Sequence, residues 1–310
     1  MGRRKKDTGE TYEERIERLE NAIEVATKEI HRKEVTFDTN NYVVMANNMI
    51  LHSASNLTLN EVKLLRFFIM QTEKDDKELF QFSVDVPRLA KAMEMSQKAL
   101  YRELDGMTEH LMKEVITIGS PKKERWIKFH WVDVCEYDNG VLNVKISDEL
   151  KPFLVGLRGN FTRYRLSEIV SLNSMYAIRI YEVLNGYMDD NLKPHADVAT
   201  EISISVEELR RITDTIDKFE RFSNFKSKVI DIALKEINEK SIYHVTATPY
   251  KHGRTIAGFD FLIESQAGHY VRTQNQNRDI KIQNDNDQLD GQMNLLDYTD
   301  TDGQIKINPS

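Results

Sequence analysis

The stretch Ser223–Lys240, SNFKSKVIDIALKEINEK, constrains this chain more than any other. Its apolar residues Phe225, Val229, Ala233 and Ile237 recur every four positions, with Phe222 just outside and Ile230 and Leu234 flanking, which draws one buried stripe along a helix. The opposite face is polar, carrying Asn224, Ser227, Lys228, Asp231 and Lys235. Lys226 and Lys228 precede the acids Asp231, Glu236 and Glu239, the reverse of the order the helix macrodipole favours, so the basic first turns point to a negative partner. A charged row alone is ordinarily a solvated face; the flanking segments supply the context. Glu201–Ile204 alternates as a short strand, and the capping box Ser205-Val-Glu-Glu208 opens a short helix through Arg211. Ile242–Thr248 and Thr255–Ile263 alternate as strands around the turn Pro249–Gly253. Strand, helix, helix, strand, strand is the order of a winged helix, in which the second helix enters the DNA major groove beside a hairpin wing.

A chain of 310 residues leaves room for about two domains, and 40% hydrophobic with 30% charged residues is ordinary for packed cores. The one cysteine, Cys135, has no partner for a disulfide or a zinc site, which implies a reducing cytoplasm. No apolar run approaches the roughly 18 residues of a membrane span, and the first residues lack the apolar core of a signal peptide. A net charge of -7 argues against indiscriminate nucleic-acid binding by the whole molecule. Locally the balance reverses. Lys218–Arg254 holds eight Lys or Arg against four acids, and Lys151–Arg165 holds four basic residues and no acid, so DNA binding is expected to be selective and salt-sensitive.

Residues 1–36 read as a charged extension opening on Arg3-Arg4-Lys5-Lys6. Ile16, Leu19, Ile23, Ala26 and Ile30 trace an a/d seam that fits either a short coiled coil or a partly helical solvated segment. A first domain is expected over 37–165. There the capping box Thr58-Leu-Asn-Glu61 starts a helix with Leu59, Val62, Leu65, Phe68 and Ile69 on a broad buried face. Phe80–Val84 alternates as a strand, Val86–Met93 is a short helix with Pro87 in its first turn, and Ser96 caps the helix Gln97–Lys113. Val115–Ile118, Trp126–Val134 and Val141–Ile146 follow as strands. A second domain, 166–265, begins with one helix over Ser167–Tyr187 that joins the two by structure instead of a loose linker.

The two halves repeat. Phe82–Leu89 matches Ile202–Leu209 at an offset of 120, and Leu104, Met107, Leu111 and Ile116 match Ile230, Ala233, Ile237 and Ile242 at 126, with six extra residues expected in the loop around Asp214–Arg221. Agreement in element order, capping and hairpin position favours duplication over chance similarity of amphipathic helices. The expected fold class is α+β: two tandem winged-helix domains related by internal duplication, with flexible N- and C-terminal tails.

Asn224–Asn238 combines Phe225, basic residues, an aliphatic pair, Ala233 and the run Lys235-Glu-Ile-Asn238. It resembles the corresponding pattern in the initiator Rep proteins of iteron-containing bacterial plasmids, which are built of tandem winged helices. Leu57–Phe68 and Leu142–Leu154 are also similar to that family, and the likeness covers Tyr42 to Glu264. The resemblance implies binding to short direct repeats in double-stranded origin DNA, opening of adjacent DNA and loading of host replication proteins such as a sliding clamp, helicase or initiator. It also implies a dimer, less active in initiation, formed through the first domain.

The sequence contains no G-x-x-x-x-G-K-[ST], H-E-x-x-H or C-x-x-C, and its eight histidines are too scattered for the metal pair of a rolling-circle nickase. No catalysis, metal or cofactor is therefore expected, and Tyr101 and Tyr181 read as packing or DNA-contacting residues. A replication initiator is the first reading; a winged-helix transcriptional regulator without a replication role is the alternative. On either, Lys226 and Lys228 approach base edges with Asn224 and Ser227 beside them, Arg221, Lys251 and Arg254 meet phosphates, and Ser223, Asp231 and Lys235 complete the face. In the first domain Gln97, Lys98, Tyr101 and Arg102 on the long helix, with Lys122, Lys123 and Arg125 in the wing turn, suit the DNA backbone.

From Gln266 onward Gln, Asn and Asp dominate, so 266–310 is expected to be a disordered polar tail. Its one apolar island, Gln292–Leu296, resembles the bacterial sliding-clamp motif through Gln292, Met293, Leu295 and Leu296; a segment folding back on this chain is the alternative. Docking on the clamp predicts that Gln292→Ala plus Leu295→Ala lowers clamp retention in a pull-down, and equal retention by both proteins removes the idea.

Overall fold

The computed structural model describes residues 11–27, 32–54, 56–120, 125–188 and 198–275. Helix α1 (Tyr12–Thr27) exposes Ile16 and Leu19, while Ile30 and the basic run at 3–6 lie outside the described residues. β1 (Arg32–Glu34) and β2 (Tyr42–Ala46) lead into the first unit, followed by α2 (Asn47–His52) and β3 (Ser53–Ala54). Helix α3 (Leu59–Ile69) is the centre of the core, buried from Glu61 onward on every side. Its capping box forms as the sequence predicts: Thr58 Oγ1 accepts from Glu61 N, and the Glu61 carboxylate accepts from Thr58 N at 2.7 Å.

Next come β4 (Gln81–Asp85), α4 (Val86–Ala92), capped by Asp85, and α5 (Gln97–Lys113), capped by Ser96. β5 (Val115–Ser120), β6 (Arg125–His130), β7 (Val132–Asp138) and β8 (Val141–Ile146) follow. The run expected as one strand, Trp126–Val134, is therefore two. β6 pairs with β5, whereas β7 pairs with β8 beside β4, and buried Trp131 marks the point where the chain changes sheet. After α6 (Lys151–Leu154) and β9 (Phe161–Arg165), which pairs with β2, the helix expected over Ser167–Tyr187 is also broken, into α7 (Ser167–Val170) and α8 (Met175–Tyr187).

The second unit is β10 (Thr200–Ser205), α9 (Val206–Ile212), α10 (Phe222–Phe225), a π-helical turn at Lys226–Ile230, α11 (Asp231–Lys240), β11 (Tyr243–His252) and β12 (Thr255–Ser265). The hairpin turn is tighter than expected, with His252 paired to Thr255 and Gly253 at φ 65°. Pro249 is tolerated inside β11 because that strand is an edge of the sheet β10-β12-β11. Order also runs past the expected boundary. Residues 266–275 form a helix, α12, whose start is held by Gln266 Nε2 donating to the carbonyls of Asn238 and Tyr243, both at 2.8 Å. Arg272 then clasps the buried Glu264 at 2.6 Å.

Backbone detail supports the repeat. Met93 and Thr213, 120 apart, end α4 and α9 at φ -87°, ψ 2° and φ -89°, ψ 6°. Glu94 and Asp214 follow in the left-handed region at φ 53° and 51°, and Met95 N and Thr215 N close the same Schellman bond to Ala90 O (2.9 Å) and Arg210 O (2.8 Å). The long helices then begin at N-caps Ser96 and Arg221, an offset of 125. The matches farther along lie at 126, so five of the six extra residues are in the loop and the sixth is inside the helix. The pairing of Ile116 with Ile242 fails: Ile116 is buried and Ile242 exposed, with Tyr243 and Val245 taking the inward positions.

That sixth residue explains the π turn. An α-helix turns about 100° per residue, so three successive steps of four, Phe225 to Ile237, overshoot one face by about 120°. One residue accommodated in a π turn takes back about 100°, and all four side chains are fully buried. In α5, Leu100, Leu104, Met107 and Leu111 are spaced four, three and four, which an unmodified α-helix already keeps on one face.

Helix α8 joins the units, packing on α2 and β9 of the first and on α9 and α11 of the second. Its Glu182, with no solvent exposure, accepts from Arg66 Nε of α3 at 2.6 Å, Tyr164 Oη of β9 at 2.5 Å and Arg179 Nη1 at 3.4 Å. Arg179 Nε reaches Ile212 O at the end of α9, 3.3 Å away. Burial alone would raise the Glu182 pKa, but Arg66 outweighs it and the carboxyl is held below its usual range. At the other end of α8, Glu236 of α11 accepts from Asn173 N at 2.6 Å and Ser174 N at 3.2 Å. The second unit thus holds the backbone that leads into the shared helix, at its N-cap Ser174 and the residue before it. Replacing Glu182 by Ala strands two buried guanidinium groups and is expected to cost about 3–5 kcal/mol in a urea melt; a loss under about 1 kcal/mol, the size of a surface pair, contradicts this account.

Candidate nucleic-acid interface

The outer side of the α10–π–α11 helix gathers the residues singled out from sequence. Ser223, Asn224, Ser227, Lys228, Asp231 and Lys235 are exposed and Lys226 is half-buried, while the stripe behind them is sealed in the core. Lys226 Nζ meets Asp231 Oδ1 at 2.6 Å, and Ser227 Oγ donates to Asn224 O at 3.4 Å. Arg221 stands exposed at the helix entrance, and Lys251 and Arg254 are exposed at the hairpin tip.

The charge of this unit is partitioned by its contacts. Lys218 pairs with Asp214 at 3.0 Å, and Lys240 donates to Ser171 O at 2.9 Å. Glu236 faces inward on α8, which accounts for one of the late acids in the helix. Among the described residues, Arg221, Lys228, Lys235, Lys251 and Arg254 make no side-chain hydrogen bond or ion pair, so five cations stay available on the outer surface. Pairing them with an anion requires no internal partner to be abandoned first.

The loop before the helix is organised by a residue that sequence reasoning missed. Arg210 donates through Nη1 to Thr215 O and Lys218 O, at 3.0 and 2.8 Å, and through Nη2 to Phe219 O and Glu220 O, at 2.8 and 3.2 Å. Its guanidinium lies 4.5 Å from the ring centroid of Phe225. The planar fork thereby ties the five-residue insertion to the first turn of the helix. On the other flank, a bulge between Tyr250 and Lys251 lays Tyr250 across Gly258, where a Cβ would collide with Tyr250 and with Ile204 O.

The first unit is arranged differently. Gln97, Lys98, Tyr101, Arg102 and Arg125 are exposed, with Arg102 paired to Glu103 at 2.8 Å; Lys122 and Lys123 lie outside the described residues. The expected wing at 122–125 belongs to β5–β6, in the sheet β3-β5-β6. The hairpin equivalent to β11–β12 is instead β7–β8, since β4 pairs with β8 as β10 pairs with β12. Its turn, Asn139-Gly140 at φ 45° and 86°, follows Asp138 and carries no cation. Cys135 on β7 has its thiol pushed up to about 12 by burial, so it stays protonated near neutral pH.

Fold and face together define a tandem winged-helix protein whose second unit carries a helix with an exposed cationic face. Family models described as "Initiator Replication protein, WH1" and "Initiator Rep protein, WH2" match residues 42–185 and 205–263, and the chain belongs to this family of replication initiators. It is 24% identical over 247 residues to a "Replication initiation protein" of Escherichia coli, covering 78% of this chain and 76% of the relative. It is 29% identical over 143 residues to the "PI protein" of Escherichia coli, covering 41% and 45%. In fold it is similar to the Pi initiator protein solved in complex with iteron DNA, at a TM-score of 0.61 and 20% identity, with 74% of this chain and 98% of that one covered.

Replacing Arg210 by Ala is expected to cost about 1.5–3 kcal/mol, the worth of a charged donor, and to expose residues 215–220 to limited proteolysis. Full stability with unchanged cleavage would show that the loop holds itself.

Proposed function

We propose that this protein initiates plasmid replication by binding directly repeated sites in double-stranded origin DNA and bringing host replication proteins to them. The second winged helix makes the sequence-specific contacts, with Asn224, Lys226, Ser227 and Lys228 at base edges and Arg221, Lys251 and Arg254 on phosphates. The observation that supports this reading is the set of uncommitted cations, Arg221, Lys228 and Lys235 along the α10–π–α11 helix and Lys251 and Arg254 on the hairpin, in front of a stripe that is fully buried. Family membership favours an initiator over a transcriptional regulator. The reading needs binding and distortion of DNA only, without a catalytic group or cofactor. It places the protein with plasmid DNA in the cytoplasm; among the described residues no helix is long and apolar enough to cross a membrane.

The first unit, through Gln97, Lys98, Tyr101, Arg102 and the β5–β6 hairpin, adds backbone contacts and self-association. β6 is an edge strand with Trp126 and Ile127 exposed, a surface suited to pairing with a second copy. The clamp-like segment at 292–296 lies outside the described residues and extends the same proposal to a host partner.

A duplex selected by the intact protein from a random-sequence library provides the test. Lys228→Ala is expected to cost about 1–3 kcal/mol of affinity for it, whereas Arg254→Ala weakens all duplexes alike and lowers the salt slope by about 1. Unchanged affinity of the Lys226→Ala plus Lys228→Ala variant contradicts the assignment. Maintenance of an origin plasmid in cells supplied with the protein separates an initiator from a regulator.

A further inference from the structure

The π turn at Lys226–Ile230 is the one place where the second long helix departs from its counterpart in the first unit. Packing does not require it. A helix one residue shorter, with steps of three, four and four between its buried side chains, would keep Phe225 and the three later stripe residues on one face without any π turn. The extra residue therefore adds to the exposed side only. It falls among Lys226, Ser227 and Lys228, and its backbone bond, Asp231 N–H to Lys226 O, sets residues five apart opposite each other. Lys226 Nζ and Asp231 Oδ1 consequently meet at 2.6 Å across the turn. In a regular helix, neighbours across a turn are three and four apart.

We propose that the π turn is the specificity device of the recognition helix, joining Asp231 and Lys226 into one specificity-determining pair. The inference rests on the DNA-reading role assigned above to this helix. Asp231 holds the Lys226 ammonium in place and cancels its charge, so Lys226 adds little to indiscriminate attraction for phosphate. A base edge that offers an acceptor to Lys226 and a donor to Asp231 satisfies the pair as a unit; a wrong base leaves Asp231 facing the polyanion without compensation. Lys228, one step on and without such a partner among the described residues, supplies the attraction. α5, with no π turn, has no such pair, in keeping with a first unit that contacts the backbone.

The test uses the full chain, a deletion of Ser227, and Asp231→Asn. Each is measured for melting temperature and for affinity towards a duplex selected by the unaltered protein and a scrambled one. Unaltered protein is expected to discriminate by about 10³-fold or more; if it does not discriminate, the DNA-reading role itself fails. The deletion lets the helix relax to α geometry, so its melting temperature should stay within about 4 °C, while an equivalent deletion of Arg102 in α5, where no π turn can absorb it, lowers melting sharply. Discrimination by the Ser227 deletion should fall at least tenfold. Asp231→Asn should bind the scrambled duplex more tightly and discriminate less. Collapse of the Ser227 deletion would show that packing needs the π turn and overturn the proposal. Undiminished discrimination by that deletion or by Asp231→Asn would overturn it equally.

Discussion

Glu182 is the group on which the arrangement of the two units depends. It is fully buried, and its carboxylate gathers Arg66 from the central helix of the first unit, Tyr164 from β9 and Arg179 from its own helix, which in turn holds the end of α9. A buried ion pair does not by itself add more stability than well-packed apolar side chains. What it does impose is direction, because a carboxylate with three donors tolerates little rotation before a buried charge loses its partner. We read the cluster as an alignment device. Asn185 extends it, accepting from Tyr243 of β11 at 3.3 Å, and Arg211 of α9 reaches Leu51 O of α2 at 2.6 Å. The helix between the units is thus pinned from both sides, and the hairpin and the cationic helix of the second unit inherit their orientation from it.

Duplication gives the two units one plan, from which they depart in different places. The shared part extends to the left-handed Glu94 and Asp214 and the Schellman closures that follow them. Beyond that point the second unit has a longer loop clasped by Arg210 and a helix with one added residue on its outer side. The first unit instead has the inserted hairpin β5–β6, with an apolar edge. One copy has elaborated its cationic face and the other its sheet edge.

Much of this was legible in the sequence because it is local. The capping residues Thr58, Ser96 and Ser205, the apolar stripes and the repeat at 120 all depend on neighbours within a few positions. The candidate DNA-binding face was legible for the same reason, since one buried stripe leaves only one outward side. What sequence did not yield depends on pairs far apart in the chain. Glu236 reads as one more acid in a helix until Asn173 and Ser174 are found against it, and Arg210 reads as a surface base until four carbonyls converge on it. Trp131 hides a change of sheet inside one apolar run, because period-two alternation carries no record of which partner each strand chooses. The π turn was written in the sequence, as three unbroken steps of four, but its meaning appears only when those steps are converted to angles.

The central claim is that the pinned helix α8 presents the two winged helices to DNA as one rigid reader. Hydroxyl-radical footprinting of the intact protein on its selected duplex, with about five base pairs, half a helical turn, inserted between the stretches protected by the two units, tests it directly. A rigid reader predicts that protection by the first unit disappears while the second unit keeps its site. Full protection of both stretches across the insertion would show that the units swivel independently and would contradict the account.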